Sequence, residues 1–173
     1  MYRIPGILIV AVLLLTVAAG CSQETRTAME SKKIVMQGIE ALDNQEYERL
    51  NEFFAADFTR HCQATPDVEV NSLEEMVGFV KTWYAAFPDM KAEYHMVIAE
   101  GDLVAIYATF IGTHQAPLNN IPATGKTMDS ETFAIFRVEK GKIAESWVTW
   151  DNLAVMEQLG LMPPEPAKTS GDI

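Results

Sequence analysis

The chain has 173 residues, with 24 acidic against 13 basic side chains and a formal net charge of −11 at neutral pH. So acidic a balance excludes nucleic acid and anionic lipid as direct ligands, because both are polyanions. Two cysteines exclude a disulfide framework, and the length fits one domain with a core of its own.

Arg3 is the single charge ahead of the apolar run Ile4 to Val17, and the small residues Ala18, Ala19 and Gly20 lead to Cys21. A charged start, an apolar middle and a small-residue end make a secretory signal. The run approaches membrane-spanning length, so an uncleaved anchor is the rival reading. The segment Val17-Ala18-Ala19-Gly20-Cys21 resembles the bacterial lipoprotein lipobox, with Ala18 departing from its usual Leu or Val. That resemblance implies cleavage after residue 20, acylation of Cys21 and a lipid anchor in the envelope. Ser22 is not the aspartate that retains lipoproteins at the inner membrane, so in a host with two membranes the outer one, facing the periplasm, is expected. The expected organisation is a signal peptide over 1–20, a lipidated tether over 21–27, a folded domain over 28–162 and a disordered tail over 163–173. Cys62, the only other thiol, reads as buried and inert.

From Ala28 a helical period carries Val35, Gly38, Ile39 and Leu42 on one side, and Asp43-Asn44 ends it. A short helix with Tyr47, Leu50, Phe53 and Phe54 follows, then an extended piece over Phe58 to Cys62. Ser72 with Glu75 three residues on is a capping box, opening a helix with Trp83 and Tyr84 that Pro88 closes. The period then shortens: Lys91 to Ala99, Leu103 to Thr113, Lys126 to Val138 and Lys142 to Trp150 read as four strands. Turns containing Gly101 and Gly141 join the first to the second and the third to the fourth, and a longer loop runs from His114 to Gly125. A last helix covers Asn152 to Leu159, stopped by Gly160. Helices followed by a long antiparallel meander predict an α+β fold, with a curved sheet around a helix forming an open cone.

Several segments in this order resemble the SnoaL-like polyketide cyclase (ester cyclase) family. They are Phe58-Thr59-Arg60-His61, Phe87-Pro88-Asp89, Gly112-Thr113-His114, Ile121-Pro122-Ala123-Thr124-Gly125-Lys126, Gly141-Lys142-Ile143-Ala144-Glu145-Ser146-Trp147, Asp151 and Gln158-Leu159-Gly160. The resemblance covers about Ser31 to Leu161. It departs at Ala123, where a second proline is usual, and at Ala116, where glycine is commoner; both fall in the long loop. It implies the cone of the nuclear transport factor 2-like superfamily, a curved antiparallel sheet wrapped around N-terminal helices. In the family's cyclases a cone aspartate acts as acid and base in an intramolecular aldol closure without metal or cofactor, and the match places that aspartate at Asp151.

Read from the residues, Asp151 has two roles open to it: helix N-cap, or a carboxylate desolvated beside Trp147 and Trp150. On an ideal strand Glu145, Trp147, Thr149 and Asp151 share one face, which makes Trp147 a pocket neighbour of Asp151 unless a bulge intervenes. His61 is the candidate helper, a neutral imidazole polarising a carbonyl or sharing a proton with Asp151, or else a structural histidine. His114 opens the long loop and either orders it or touches ligand. Trp83, Tyr84, Tyr94, Tyr107, Phe110, Phe133, Trp147 and Trp150 supply aromatic surface for an apolar ligand wall, most of it core, with Trp83, Tyr107, Phe133 and Trp147 the candidates for ligand contact. Glu131 is a second cavity carboxylate or a solvated residue. The three histidines lack ligand spacing for zinc, and no metal is expected.

The expectation is therefore an envelope-anchored protein whose hydrophobic cone binds a small carbonyl-bearing molecule, with cofactor-independent acid/base chemistry (cyclase, isomerase or aldol type) at Asp151 and His61. The alternative is a binding module with the same cone and no chemistry. A third reading uses an exposed sheet face to form a homodimer.

Overall fold

The computed structural model describes residues 6–162, with side chains from residue 23 onward. The lipobox side chains, Cys21 included, and the tail over 163–173 lie outside the described residues.

Helix α1 spans Gly6–Asp43. The helix expected from Ala28 is thus the end of a longer one, which runs through the tether expected over 21–27. No proline or glycine lies between Cys21 and Gly38 to interrupt it, and Arg26 pairs with Glu30 one turn on, at 3.3 Å. Its buried stripe is Val35, Gly38 and Ile39; a methyl group on Gly38 would meet Ile143 Cδ1 at 2.8 Å, so helix and sheet touch here with no side chain between. Ser31 Oγ donates to the Gly101 carbonyl and Lys32 Nζ to the Val97 carbonyl, both at 3.0 Å, tying the helix to the first hairpin.

A 3-10 helix over Tyr47–Glu52 leads into β1, Phe54–Cys62. Phe54, expected on the short helix, is the first strand residue instead, and its ring meets Phe58 edge-on at 5.3 Å. Helix α2, Leu73–Ala86, starts at Ser72, whose hydroxyl accepts the Glu75 N–H at 3.1 Å. Glu75 reaches back to the Asn71 N–H at 2.6 Å, one residue before the cap, so the expected box closes in a wider form. Strands β2 (Lys91–Glu100), β3 (Leu103–Thr113), β4 (Thr127–Glu139) and β5 (Lys142–Trp150) follow, then α3, Asn152–Gln158.

The sheet order is β1-β5-β4-β3-β2, antiparallel except at the β1–β5 edge, where the strands are parallel. The β4–β5 turn places Lys140 at φ 50° and Gly141 at φ 76°, the two positive values a tight primed turn needs. Besides an irregularity in β1 between Phe54 and Thr59, two register shifts bear on which side chains face inward. One falls between Tyr94 and Met96 in β2; the other falls at Ala144 in β5, between the pairs Val138–Ile143 and Arg137–Glu145. The curved sheet encloses two packed groups, one around Val35, Leu50, Phe54, Phe58 and Ile143, the other around Phe87, Met128, Val155 and Leu159. A cavity opens where the two meet.

Candidate functional site

The cavity holds about 210 Å³. Its wall is mostly apolar: Phe79 and Trp83 from α2, Phe110 from β3, Phe136 from β4, Val148 and Trp150 from β5 and Val155 from α3. Trp83 stacks on Phe87 at 5.6 Å and meets Trp150 edge-on at 6.1 Å, so the indoles brace one another. Of the aromatics that the sequence offers for an apolar wall, Trp83, Tyr84, Tyr94, Phe110 and Trp150 line this cone.

Two charged side chains lie in the apolar wall. Arg60 alternates inward from Phe58 along β1 and is only 6% exposed. Its guanidinium lies over the Phe79 ring at 4.4 Å and faces Trp150 at 5.7 Å. Neither Nη atom has a hydrogen-bond partner, and burial pushes the group's pKa down, against a smaller opposing contact with the Cys62 thiol. The aromatic faces recover part of the desolvation cost, but the N–H groups at the guanidinium tip remain unused. Ser130 Oγ, also buried and unpartnered, lines the same cavity. Opposite in charge is Asp43, the last residue of α1. It accepts Tyr94 O–H at 2.6 Å on one oxygen and Tyr84 O–H at 3.4 Å on the other. Burial raises the carboxyl pKa, and the two phenol hydrogen bonds pull against that without cancelling it. The same contact, with burial first, drives both tyrosine pKa values upward, so these phenols stay protonated.

The residues expected to form the site are placed elsewhere. Asp151 is exposed and caps α3, accepting the Ala154 N–H at 2.9 Å, and it does not line the cone. The cap is worth about 1 kcal/mol. Asp151→Ala is therefore expected to lower unfolding free energy by roughly that amount in urea titrations, and Asp151→Asn to preserve it. His61 does not meet Asp151. It projects from the outer face of β1, with Nε2 at 2.7 Å from Glu145 Oε1 and its ring stacked on Trp147 at 5.5 Å. Arg137 completes this cluster, donating to Glu145 Oε2 at 2.6 Å.

Trp147, Tyr107, Phe133 and Glu131 likewise stand outside the cone: all four lie on the outer face of the sheet. The bulge at Ala144 is the physical reason in β5. Ile143 faces inward before it, and Ser146, Val148 and Trp150 face inward after it, leaving Glu145, Trp147 and Thr149 outside. In β3 and β4 the pair Tyr107–Phe133 stacks at 4.7 Å on that outer face, and Glu131 accepts the Tyr107 hydroxyl there rather than standing in the cone. His114 is wholly buried and does not line the cone: it stacks on Phe87 at 5.0 Å, Nδ1 accepts the Thr124 N–H at 3.3 Å, ordering the long loop, and Nε2 has no partner. Cys62, expected to be buried, is a free half-buried thiol.

A broader hollow of about 540 Å³ lies on the outer face beside His61, Met96, Phe133 and Trp147. It is larger than the cone, but the ionisable side chains beside it engage one another, through His61, Glu145 and Arg137 and through Tyr107 and Glu131. Of the buried polar atoms left without a partner, both Arg60 Nη atoms and Ser130 Oγ line the cone, whereas Thr65 Oγ1 and His114 Nε2 lie outside it. An unpaired charge in an apolar cavity is the costliest of these, which is why the site is placed there. Among the described residues no three of His, Cys, Asp and Glu come together as metal ligands.

A curved sheet closed by helices around an apolar cavity defines the nuclear transport factor 2-like class, whose cone accommodates small molecules. The chain belongs to the SnoaL-like polyketide cyclase family, whose model matches residues 33–159. Among solved structures it is similar to IdmH of Streptomyces antibioticus, regarded as a polyketide cyclase, at 29% identity and TM-score 0.65, covering 75% of this chain and 98% of that one. AclR of Streptomyces galilaeus, regarded as a hydroxylase, is 25% identical with TM-score 0.67, covering 79% of this chain and all of that one, 100%. A SnoaL-like protein of Jannaschia sp. CCS1 shares the fold with TM-score 0.71 at 20% identity, over 79% of this chain and 96% of that one. No protein of curated function matches the chain.

Proposed function

We propose that the cone binds a small, flat, largely apolar molecule and holds its carbonyl or carboxylate oxygen on the guanidinium of Arg60. The observation that carries this reading is the buried arginine with both Nη atoms unpartnered. A guanidinium clamped on aromatic faces leaves its planar fork free, and that fork matches two acceptor lone pairs. Polyketides, after which the family and the relative IdmH are described, are carbonyl-rich, in keeping with such a ligand. The test is calorimetric titration with 2-naphthoate and with 2-naphthylmethanol, which share an apolar body and differ in the anionic oxygens. Binding of the carboxylate at least tenfold tighter is expected; equal affinities would sink the proposal.

The sequence supports export and lipid attachment at Cys21. Cys21→Ser is accordingly expected to leave an unprocessed precursor lacking the acyl chain, read by mass spectrometry of the membrane fraction; a mature species identical to wild type would overturn it. On the outer face Met96, Ile98, Phe133 and Ile135 are 53, 57, 55 and 43% exposed and adjoin across β2, β3 and β4. So large an apolar patch fits pairing with a second copy. Sedimentation equilibrium should then show wild-type dimers and Ile135→Lys monomers, whereas a monomeric wild type at micromolar concentration would contradict pairing.

A further inference from the structure

We propose that Asp43, held by Tyr84 and Tyr94, is the proton-transfer group of the cone, and that the molecule seated at Arg60 is a carbon acid bearing a hydrogen next to its carbonyl. This rests on the binding reading above and adds chemistry to it. Among the residues lining the cavity Asp43 is the only carboxylate and Arg60 the only cation, so the cavity offers a carbonyl compound one of each.

The structural roles that commonly account for a buried carboxylate do not account for this one. Among the described residues Asp43 has no ion-pair partner. Nor does it cap a helix start: it is the final residue of α1, where free carbonyl groups disfavour a negative charge. Yet its position is fixed, because each carboxyl oxygen accepts a phenol hydroxyl and each keeps a further lone pair. The two phenols come from different elements, α2 and β2, so the carboxyl is held between them. Desolvation favours the protonated form and the phenols favour the ionised form, with desolvation the larger. A carboxylate whose proton affinity is raised above the ordinary carboxylate range, and which is held in place on both oxygens, is a stronger base than one in water.

The step conserves atoms and electrons without an added reagent. Ionised Asp43 accepts the proton from the carbon beside the carbonyl. The C–H electron pair moves into the enolate, whose oxygen rests on the Arg60 guanidinium. The proton then returns from Asp43 to the same carbon or to another carbon of the conjugated system, giving exchange or isomerisation. Asp151, on the α3 cap, takes no part.

The experiment follows deuterium uptake at C1 of 2-tetralone in D₂O by proton NMR, using the full chain. Wild type is expected to accelerate uptake over buffer, and Asp43→Asn to reduce the protein-dependent rate at least ~100-fold, within the range general acid–base groups contribute. Tyr94→Phe removes a hydroxyl that favours the ionised carboxylate, so its rate-against-pH midpoint should move upward. Asp151→Asn should stay within about twofold of wild type, since it retains the cap. Selective 2-naphthoate binding, measured alongside on each variant, separates the two claims. If that selectivity is absent in wild type, the binding reading falls. If it is present but wild-type uptake equals buffer, or Asp43→Asn matches wild type, the role given to Asp43 is overturned. Should Asp43→Asn fail to fold, an unmoved midpoint in Tyr94→Phe overturns it equally.

Discussion

Replacing Arg60 by methionine is expected to weaken 2-naphthoate binding by ~30- to 1000-fold while making the protein more stable. The binding loss follows from removing a desolvated charge that meets the ligand's oxygens: truncating one partner of such a pair costs about 2–4 kcal/mol. The stability gain follows from the same burial. In the ligand-free protein the guanidinium is 6% exposed with two unpaired Nη atoms, and the rings of Phe79 and Trp150 offset only part of that penalty. Methionine has a similar length and no donor to satisfy, so it fills the space between those rings without the penalty. Substitutions of this kind gain on the order of 1–3 kcal/mol. Urea unfolding of both proteins, paired with calorimetry, reads the two effects together. Opposite signs for affinity and stability identify a residue retained for the ligand; a loss of both would mean Arg60 is a structural element of β1.

The second large effect is a pH dependence centred on Asp43. Its carboxyl pKa is raised in the folded protein, so folding favours the protonated acid. The sign follows directly. Below the unfolded-chain value of ~3.9 the acid is protonated in both states and imposes no cost. As pH rises from there through the higher folded value, the unfolded chain releases its proton first and stability falls. Each unit of displacement is worth about 1.4 kcal/mol. Asp43→Asn is neutral at every pH and keeps an oxygen to accept the Tyr94 hydroxyl. It should therefore unfold at higher urea than wild type at pH 7, with the difference closing toward pH 4. A variant equally destabilised at both pH values would show that the carboxylate serves packing and not proton exchange.

Most of the architecture was legible in the sequence because it rests on period. The four strands of the meander, α2 and α3 fall within a residue of their expected limits, and glycines mark the two hairpin turns. The parallel pairing of β1 with β5 joins segments more than eighty residues apart, and no local pattern encodes it. The candidate site was less legible, for two distinct reasons. In β5 the side-chain alternation is read correctly until one extra residue, Ala144, exchanges the faces, so Trp147 turns outward and Trp150 inward. A bulge has no sequence signature here beyond an alanine in a strand.

At Asp43 and Arg60, by contrast, a signal was present. Asp43 stands four residues after Ile39, on the apolar stripe that Val35 and Ile39 define, although with Asn44 after it the pair also has the character of a helix stop. Arg60 stands two residues after Phe58, on the inward side of β1. A charge on the buried face of an otherwise apolar element is the more informative kind of oddity, since its cost must be met by a partner or a ligand. Asp151 shows the converse: the resemblance marks it, yet its side chain is engaged with the Ala154 N–H at 2.9 Å.

The cone and the outer hollow make different predictions about where an aromatic carboxylate settles. The most direct measurement is a crystal structure of the protein grown with 2-naphthoate. The naphthyl group is expected between Trp83, Phe110 and Trp150, with both carboxylate oxygens within hydrogen-bond distance of the Arg60 Nη atoms. A ligand found instead on the outer face against Trp147 and Phe133, with the cone empty, would contradict the account.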